Sequence, residues 1–273
     1  MKQMHHQSAG FTLVELAIVL FIVSLLIGGL LMPLSAQYEV RGRQETDKAM
    51  AGIREALIGF AVVNGRLPCP AVASIPTGTT VSGLQAGREA TTPAGANGPC
   101  ACDSSASSGI AGNVGTGALA CDDDTPGGVT GVLPWVTLGV PEADAWGNRY
   151  TYRVTTRFGR LATGQTTFGA CTPTTNPANA AFALCSTGDM SVLTATAGTT
   201  IAAGIPAIIV SHGRNGLGAY RTDGTQIAGA AGNELENANG DATYVGSVEI
   251  DDLVTWLPPG VLMGRMLASG RLP

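Results

Sequence analysis

Charged residues are scarce in this chain of 273 residues. Asp, Glu, Lys and Arg make up only 13% of it, against roughly 25% in typical soluble domains. The formal net charge is −5, and the basic residues form no stripe, so nucleic acid is not an expected partner. Glycine, in contrast, is abundant at 38 residues, which favours turns and long loops. This composition is typical of an exported protein that is tethered to a membrane.

Histidine is nearly absent after the first six residues, and His212 is the only one there. Ser211 precedes it, and a hydrolytic group could be assembled from the two with an aspartate. However, the chain has no G-x-S-x-G turn and no other nucleophile motif. We therefore predict that the protein is not an enzyme and assign no catalytic residue.

Cysteine is absent from the first 68 residues, and six cysteines follow. An even number confined to one side of an apolar segment predicts disulfides in an oxidising compartment. Six cysteines allow 15 pairings. The favoured pair is Cys171 with Cys185, which would close one Pro/Asn-rich loop. The less favoured alternative is a zinc site at Cys100, Cys102 and Cys121, since no C-x₂-C pair is present and no histidine is near. The disulfide candidates are Cys69, Cys100, Cys102, Cys121, Cys171 and Cys185.

The longest apolar run lies close to the N-terminus. From Phe11 to Met32 there are 22 residues, and Glu15 is the only charged one. As a helix they would be roughly 33 Å long, enough to cross the hydrocarbon of a bilayer. A carboxylate in such a segment needs a partner. Cleavage after Gly10 would supply one, because it would leave a free amine on Phe11.

This segment resembles the class III signal of type IV pilins and of the pseudopilins of type II secretion systems. A short polar leader, the cleavage-site pair Gly10-Phe11, and Glu15 ahead of an apolar helix all match. The resemblance implies that a prepilin peptidase cleaves after Gly10 and N-methylates Phe11. It also implies that subunits assemble into a helical filament, with Glu15 facing the Phe11 amine of a neighbour. An ordinary secretory signal is disfavoured, since its small-residue cleavage site would follow the apolar run.

The helix is predicted to continue past the apolar run. Met50, Ile53, Leu57 and Phe60 recur at helical spacing and predict a face that packs on a globular domain. Asn64-Gly65 supplies the end of the helix. We therefore divide the chain into a leader (1–10), a transmembrane or filament-core helix (11–33), an amphipathic continuation (34–64) and a head domain (65–273).

The head is predicted to be β-rich with long loops. Residues 71–131 show no periodicity and read as an extended loop region pinned by cysteines. Strands are predicted at 148–154, 206–211 and 244–250, and a short helix around 261–267. The predicted fold class is α+β: a long N-terminal helix, transmembrane in its first half, packed on a β-rich head with disulfide-pinned loops, as in pilin-like proteins.

A second resemblance lies in the head. Residues 144–152 look like the D-x-W-G-x-x-Y-x-Y segment of major pseudopilins, and residues 65–70 are similar to the helix exit of pilin-like proteins from Gram-negative bacteria. Major pseudopilins have a calcium loop towards the C-terminus. The resemblance therefore implies calcium as a possible cofactor, with oxygen ligands from Glu234, Glu236, Asn239 and Asp241. Solvated acidic loops are the commoner explanation for such residues.

Together these features predict a structural subunit of a periplasmic pseudopilus for type II secretion. The expected partners are other pilin or pseudopilin subunits, prepilin peptidase, an inner-membrane assembly platform and the membrane itself. The expected location is the inner membrane of a Gram-negative bacterium, with one span and a periplasmic head. Two alternatives stay open: a minor type IV pilin for adhesion or motility, and a membrane-anchored binding domain that does not polymerise.

Overall fold

A computed structural model describes residues 12–81, 83–91, 100, 102–103, 119–121, 128–160, 162, 168, 171–247 and 249–273. The side chains of 28–36, 102–103 and 119–121 lie outside the description. The chain divides into two compact units, Met1–Gly42 and Arg43–Pro273.

One long helix, α1, runs from Leu13 to Asn64. Its C-terminal part buries the predicted face, including Met50, Ile53 and Leu57, although Phe60 is only half-buried. The helix ends at Asn64, as predicted, and Gly65 follows it with φ +71°, a left-handed conformation that favours glycine. Across the residues with described side chains, no helix is long and apolar enough to cross a membrane.

Thirteen short strands and four further helices are found among the described residues. The strands are β1 Thr80–Val81, β2 Leu84–Gln85, β3 Cys102–Asp103, β4 Leu119–Cys121, β5 Gly128–Val132, β6 Asn148–Arg149, β7 Thr151–Thr155, β8 Met190–Leu193, β9 Thr200–Ile205, β10 Ala207–Ser211, β11 Tyr220–Arg221, β12 Thr243–Val245 and β13 Leu253–Trp256. The helices are α2 Trp135–Leu138, α3 Thr156–Gly159, α4 Asn233–Ala238 and α5 Pro259–Ala268.

Six strands form the main sheet, in the order β13-β10-β7-β5-β4-β3. Strand β10, which corresponds to the strand predicted at 206–211, lies between β7 and β13 and is antiparallel to both. Its side chains alternate between two cores. Ala207 and Ile209 pack in the core that contains the buried face of α1, whereas Ile208 and Val210 pack in a second core with residues of β8 and β12. Burial of both faces explains why the first four residues of this strand, 207–210, are all apolar.

Three expectations about the head need correction. The strand predicted at 148–154 is two strands, β6 and β7, separated by Tyr150. Of the strand predicted at 244–250, only residues 244 and 245 lie in a described strand, β12. The region 71–131, predicted as loop, contains β1 to β4 and most of β5, so short pairings interrupt it. The C-terminal helix predicted around 261–267 is confirmed as α5, whose Leu262, Met263 and Met266 are buried.

Arg149, at the end of β6, is a fully buried cation that joins distant segments of the head. Its guanidinium lies 4.7 Å from the centre of the Trp135 ring. All five of its N–H groups donate to oxygens: Glu142 Oε1 at 2.9 Å, the carbonyls of Ala73 at 2.8 Å, Ile75 at 3.0 Å and Thr222 at 3.0 Å, and Thr77 Oγ1 at 2.9 Å. Complete pairing is what makes a buried charge tolerable.

Two disulfides are present among the described side chains. Cys171 pairs with Cys185, as predicted, and Cys69 pairs with Cys100. The Cys69–Cys100 bond ties the segment after α1 to the region that was predicted to be a pinned loop. Because Cys100 is oxidised, it cannot serve as a thiolate ligand in the alternative zinc site. The side chains of Cys102 and Cys121 lie outside the described part.

Candidate functional site

The first site is the start of α1, where Thr12 and Glu15 form a reciprocal cap. The N–H and the hydroxyl of Thr12 both donate to Glu15 Oε2, each at 2.9 Å. In return the N–H of Glu15 donates to Thr12 Oγ1 at 3.3 Å. This is the capping box expected of a Thr followed three residues later by Glu. Glu15 therefore fixes the helix start in addition to its predicted role in assembly.

The cap leaves one side of the Glu15 carboxylate available. Both bonds from Thr12 end on Oε2, and no described bond involves Oε1. The residues that follow form an exposed apolar surface, and every residue from 12 to 27 is exposed. A carboxylate at the head of such a surface is suited to receive a cation from another molecule. Gly10 and Phe11, the predicted cleavage site and methylation site, lie outside the described residues.

The second site is a group of three carboxylates in the head. Oxygen atoms of Glu234, Asp251 and Asp252 all lie within 4.8 Å of one another. Glu234 comes from α4, whereas Asp251 and Asp252 lie just before β13. Glu234 and Asp251 are half-buried, and Asp252 is buried. We refer to these three residues as the acidic cluster.

Asp252 is the deepest member of the acidic cluster. Its Oδ2 accepts a hydrogen bond from Asn237 Nδ2 at 2.9 Å, but its Oδ1 is buried without a described hydrogen-bond partner. Burial, together with the charges of Asp251 and Glu234, raises the pKa of Asp252 to about 7, against the opposing bond from Asn237. The neighbouring His212 is fully buried, and burial lowers its pKa to about 4.

Of the four predicted calcium ligands, Glu234 lies in the acidic cluster. Asn239 and Asp241 instead stabilise a turn, because Asn239 Nδ2 donates to Asp241 Oδ2 at 2.9 Å and the Asp241 N–H donates to Asn239 Oδ1 at 3.0 Å. The pKa of Glu236 is raised by partial burial and by the charge of Asp241, which places these two acids near each other. Calcium binding by the four residues stays a prediction.

Ser211 and His212 do not form the nucleophile–base pair of a hydrolase. Ser211 Oγ donates to Asp144 Oδ2 at 2.6 Å, and His212 Nε2 lies 2.8 Å from Thr151 Oγ1. Both residues are completely buried. These contacts fix the end of β10 and the turn that follows it.

The D-x-W-G segment has a local structural explanation. Asp144 Oδ1 accepts hydrogen bonds from the N–H groups of Trp146 at 3.0 Å and Asn148 at 2.9 Å, so its side chain closes the turn. Gly147 lies in this turn with φ +86°. The recognisable sequence of the D-x-W-G segment thus reflects a turn that sets the position of β6.

Sequence reasoning missed two members of the acidic cluster. Asp251 and Asp252 are adjacent acids before a short apolar segment, and that pattern is also common on solvated surfaces. Only the tertiary fold places them beside Glu234, and Asn215 connects Asp251 to Glu234 by hydrogen bonds. Its N–H donates to Asp251 Oδ2 at 2.8 Å and its side-chain amide to Glu234 Oε1 at 2.6 Å.

Residues 5–31 match a family model described as the prokaryotic N-terminal methylation motif. No curated protein and no solved structure matches the chain. The matched range contains Gly10, Phe11 and Glu15 and ends before the head domain. The chain therefore carries the prepilin-type cleavage and methylation signal of type IV pilin-like proteins. This motif implies processing by a prepilin peptidase and assembly with other pilin subunits.

Proposed function

We propose that this protein is a structural subunit of a periplasmic pseudopilus of a type II secretion system. The observation that carries the proposal is the methylation motif at residues 5–31, which opens a helix that is exposed and apolar from its first turn. A prepilin peptidase would cut after Gly10 and methylate the new amine of Phe11. The mature subunit would wait in the inner membrane with its head in the periplasm.

Assembly would depend on an ion pair between subunits. Glu15 Oε2 is held by Thr12, and Oε1 is directed to no described partner, so the carboxylate can accept the Phe11 amine of a neighbouring copy. Pairing would offset the cost of a carboxylate in an apolar environment. The residues from Phe11 to Met32 carry no other charge, and they would form the membrane anchor before assembly and the filament core after it.

One feature of the head favours a role in type II secretion over a role in surface pili. The D-x-W-G-x-x-Y-x-Y segment resembles that of major pseudopilins. In this chain Asp144 closes the turn, which leads into β6, with its buried Arg149, and then into β7. Disulfides at Cys69–Cys100 and Cys171–Cys185 suit an oxidising periplasm. A minor type IV pilin is the second candidate, because the methylation motif serves both systems.

A deletion strain of the source bacterium tests the proposal. Loss of the gene should abolish release of the type II exoproteins, which should then accumulate in the periplasm, while surface pili and twitching motility stay normal. Complementation with the intact gene is the control. Loss of pili or motility with normal secretion would instead assign the protein to a type IV pilus. If both processes stay normal, the anchored binding domain becomes the better explanation.

A further inference from the structure

We infer that the open edge of strand β13 is a docking site for an extended segment of a partner protein, one that carries an acidic side chain between apolar ones. The segment would add to the main sheet as a further strand, with its acid paired to Arg54 of α1. The inference goes beyond the filament function and does not depend on it. Two independent features support it: the outward backbone groups of β13 and the groove that runs along them.

Strand β13 is the last strand of the main sheet, and no other described strand pairs with its outer edge. The N–H of Leu257, which follows β13, donates to the carbonyl of Ala207 on β10 at 2.9 Å. The register with β10 is unbroken, so Thr255, two residues earlier, also directs its backbone groups at β10. The N–H and carbonyl groups of Val254 and Trp256, which alternate with these residues, therefore point outward. They can pair with one more strand.

This edge lacks the features that usually keep an edge strand from pairing. Natural edge strands are commonly blocked by a charged residue, a proline or a bulge. Residues 253–256 are Leu, Val, Thr and Trp, without charge or proline, and their register with β10 contains no bulge. Pro258 and Pro259 follow only after the strand has ended. An unblocked edge of this kind is a template for pairing with another chain.

A groove of about 460 Å³, which we call the edge groove, runs along this strand. The consecutive residues 252–256 line it. Because side chains in a strand alternate between its two faces, a continuous run of lining residues means that the groove follows the edge and not one face. One wall is α1, through residues that include Met50 and Arg54, and the other is formed by Ile201 of β9 and Gly246 after β12.

The two walls favour different side chains in a bound strand. Val254 and Trp256 pack on the core that contains β8 and β12, and Ile201 on that wall is 48% exposed, so apolar side chains would cover it. Leu253 packs on the opposite face, in the core that contains α1. There Arg54 is half-buried and has no ion pair among the described residues. A strand with apolar residues on one face and an acid on the other satisfies both walls.

Asp47 also lines the edge groove, roughly 10 Å along the helix from Arg54. Asp47 is exposed, whereas Arg54 is half-buried, so solvent screens the carboxylate more strongly than the guanidinium. Asp252, at the start of β13, is buried and accepts a hydrogen bond from Asn237. The groove therefore favours a segment with a single acid, placed near Arg54.

The test uses a fluorescein-labelled peptide with blocked ends, Val-Thr-Val-Glu-Val-Thr-Val, titrated with the full mature chain in detergent. Fluorescence anisotropy should show saturable binding. The peptide with Gln in place of Glu should bind roughly 3–10-fold more weakly, and the peptide with Lys at least about 10-fold more weakly. Arg54→Gln should remove the difference between the Glu and Gln peptides. Arg88→Gln removes an exposed cation that does not line the groove, and it should leave that difference unchanged.

Two N-methylated versions of the peptide test strand addition without changing the protein. In an added strand only alternate N–H groups face β13. Methyl groups on one alternate set, either the valines or the residues between them, should abolish binding, and methyl groups on the other set should preserve it. Binding that tolerates both sets would overturn the inference. So would a Lys peptide that binds as tightly as the Glu peptide, or no binding of the Glu peptide at all.

Val254→Pro blocks the edge on the protein side. It removes an outward N–H and takes no donor from the ladder with β10, which is where edge strands tolerate proline. The variant should lose binding of the Glu peptide while circular dichroism shows a folded head, and if it does not fold, the methylated peptides decide. Sedimentation equilibrium distinguishes the other possible occupant, a second copy of this chain. A dimer that Val254→Pro dissociates would overturn the inference.

Discussion

Replacing Arg149 with methionine is expected to lower the free energy of unfolding of the head by about 3–5 kcal/mol, the usual cost of breaking a buried ion pair from one side. Methionine keeps much of the aliphatic volume and removes all five donors. Glu142 then loses its cation, and the carbonyl groups of Ala73, Ile75 and Thr222 lose a buried partner. Contact with the Trp135 ring also loses its cation–π component.

Urea unfolding of the mature chain in detergent measures this effect. Arg221→Met is the matched control, since Arg221 lies on the neighbouring strand β11 but is exposed. It should change the free energy of unfolding by no more than about 0.5 kcal/mol. Arg149→Lys should fall between the two, because an ammonium group lacks the planar five-donor geometry. A loss below about 1 kcal/mol for Arg149→Met would contradict the role given to this residue.

Replacing Glu15 with glutamine is expected to leave cleavage and methylation intact but to prevent filament assembly. Glutamine can still accept the bonds from Thr12, since a capping box works with either residue. It cannot form an ion pair with the Phe11 amine of a neighbour. Loss of a desolvated charge pair costs about 2–5 kcal/mol per contact, which corresponds to roughly a 30-fold or larger loss of affinity.

Filament incorporation is measured by shearing and immunoblotting after overexpression of the secretion system. Glu45→Gln, an exposed change further along α1, is the control and should assemble normally. The Glu15→Gln subunit should be processed and remain in the membrane fraction. If it enters filaments as well as the unchanged subunit, the ion pair is not what drives assembly.

The parts of the fold that sequence predicted are those set by local periodicity. The buried face of α1, with Met50, Ile53 and Leu57, follows from helical spacing, and strand β10 follows from its short run of apolar residues. Helix α5 was recognised in the same way. In each case the residues themselves carry the pattern that burial requires.

The parts that sequence did not predict depend on contacts between distant segments. Arg149 and Arg153 look like the solvent face of one strand, but both are buried. Their partners come from elsewhere: Glu142 and Thr222 for Arg149, and Asp189 for Arg153 at 3.0 Å. The acidic cluster is similar, since only the tertiary fold brings residues 234, 251 and 252 together. No local pattern encodes such pairings.

The most direct test of the account is the N-terminus of the protein isolated from membranes of a host that contains prepilin peptidase. Intact mass and N-terminal sequencing should give a chain that begins at N-methylated Phe11, without residues 1–10. The same protein from a host without the peptidase should begin at Met1. A chain that keeps its first ten residues when the peptidase is present would contradict the assignment as a pilin-like filament subunit.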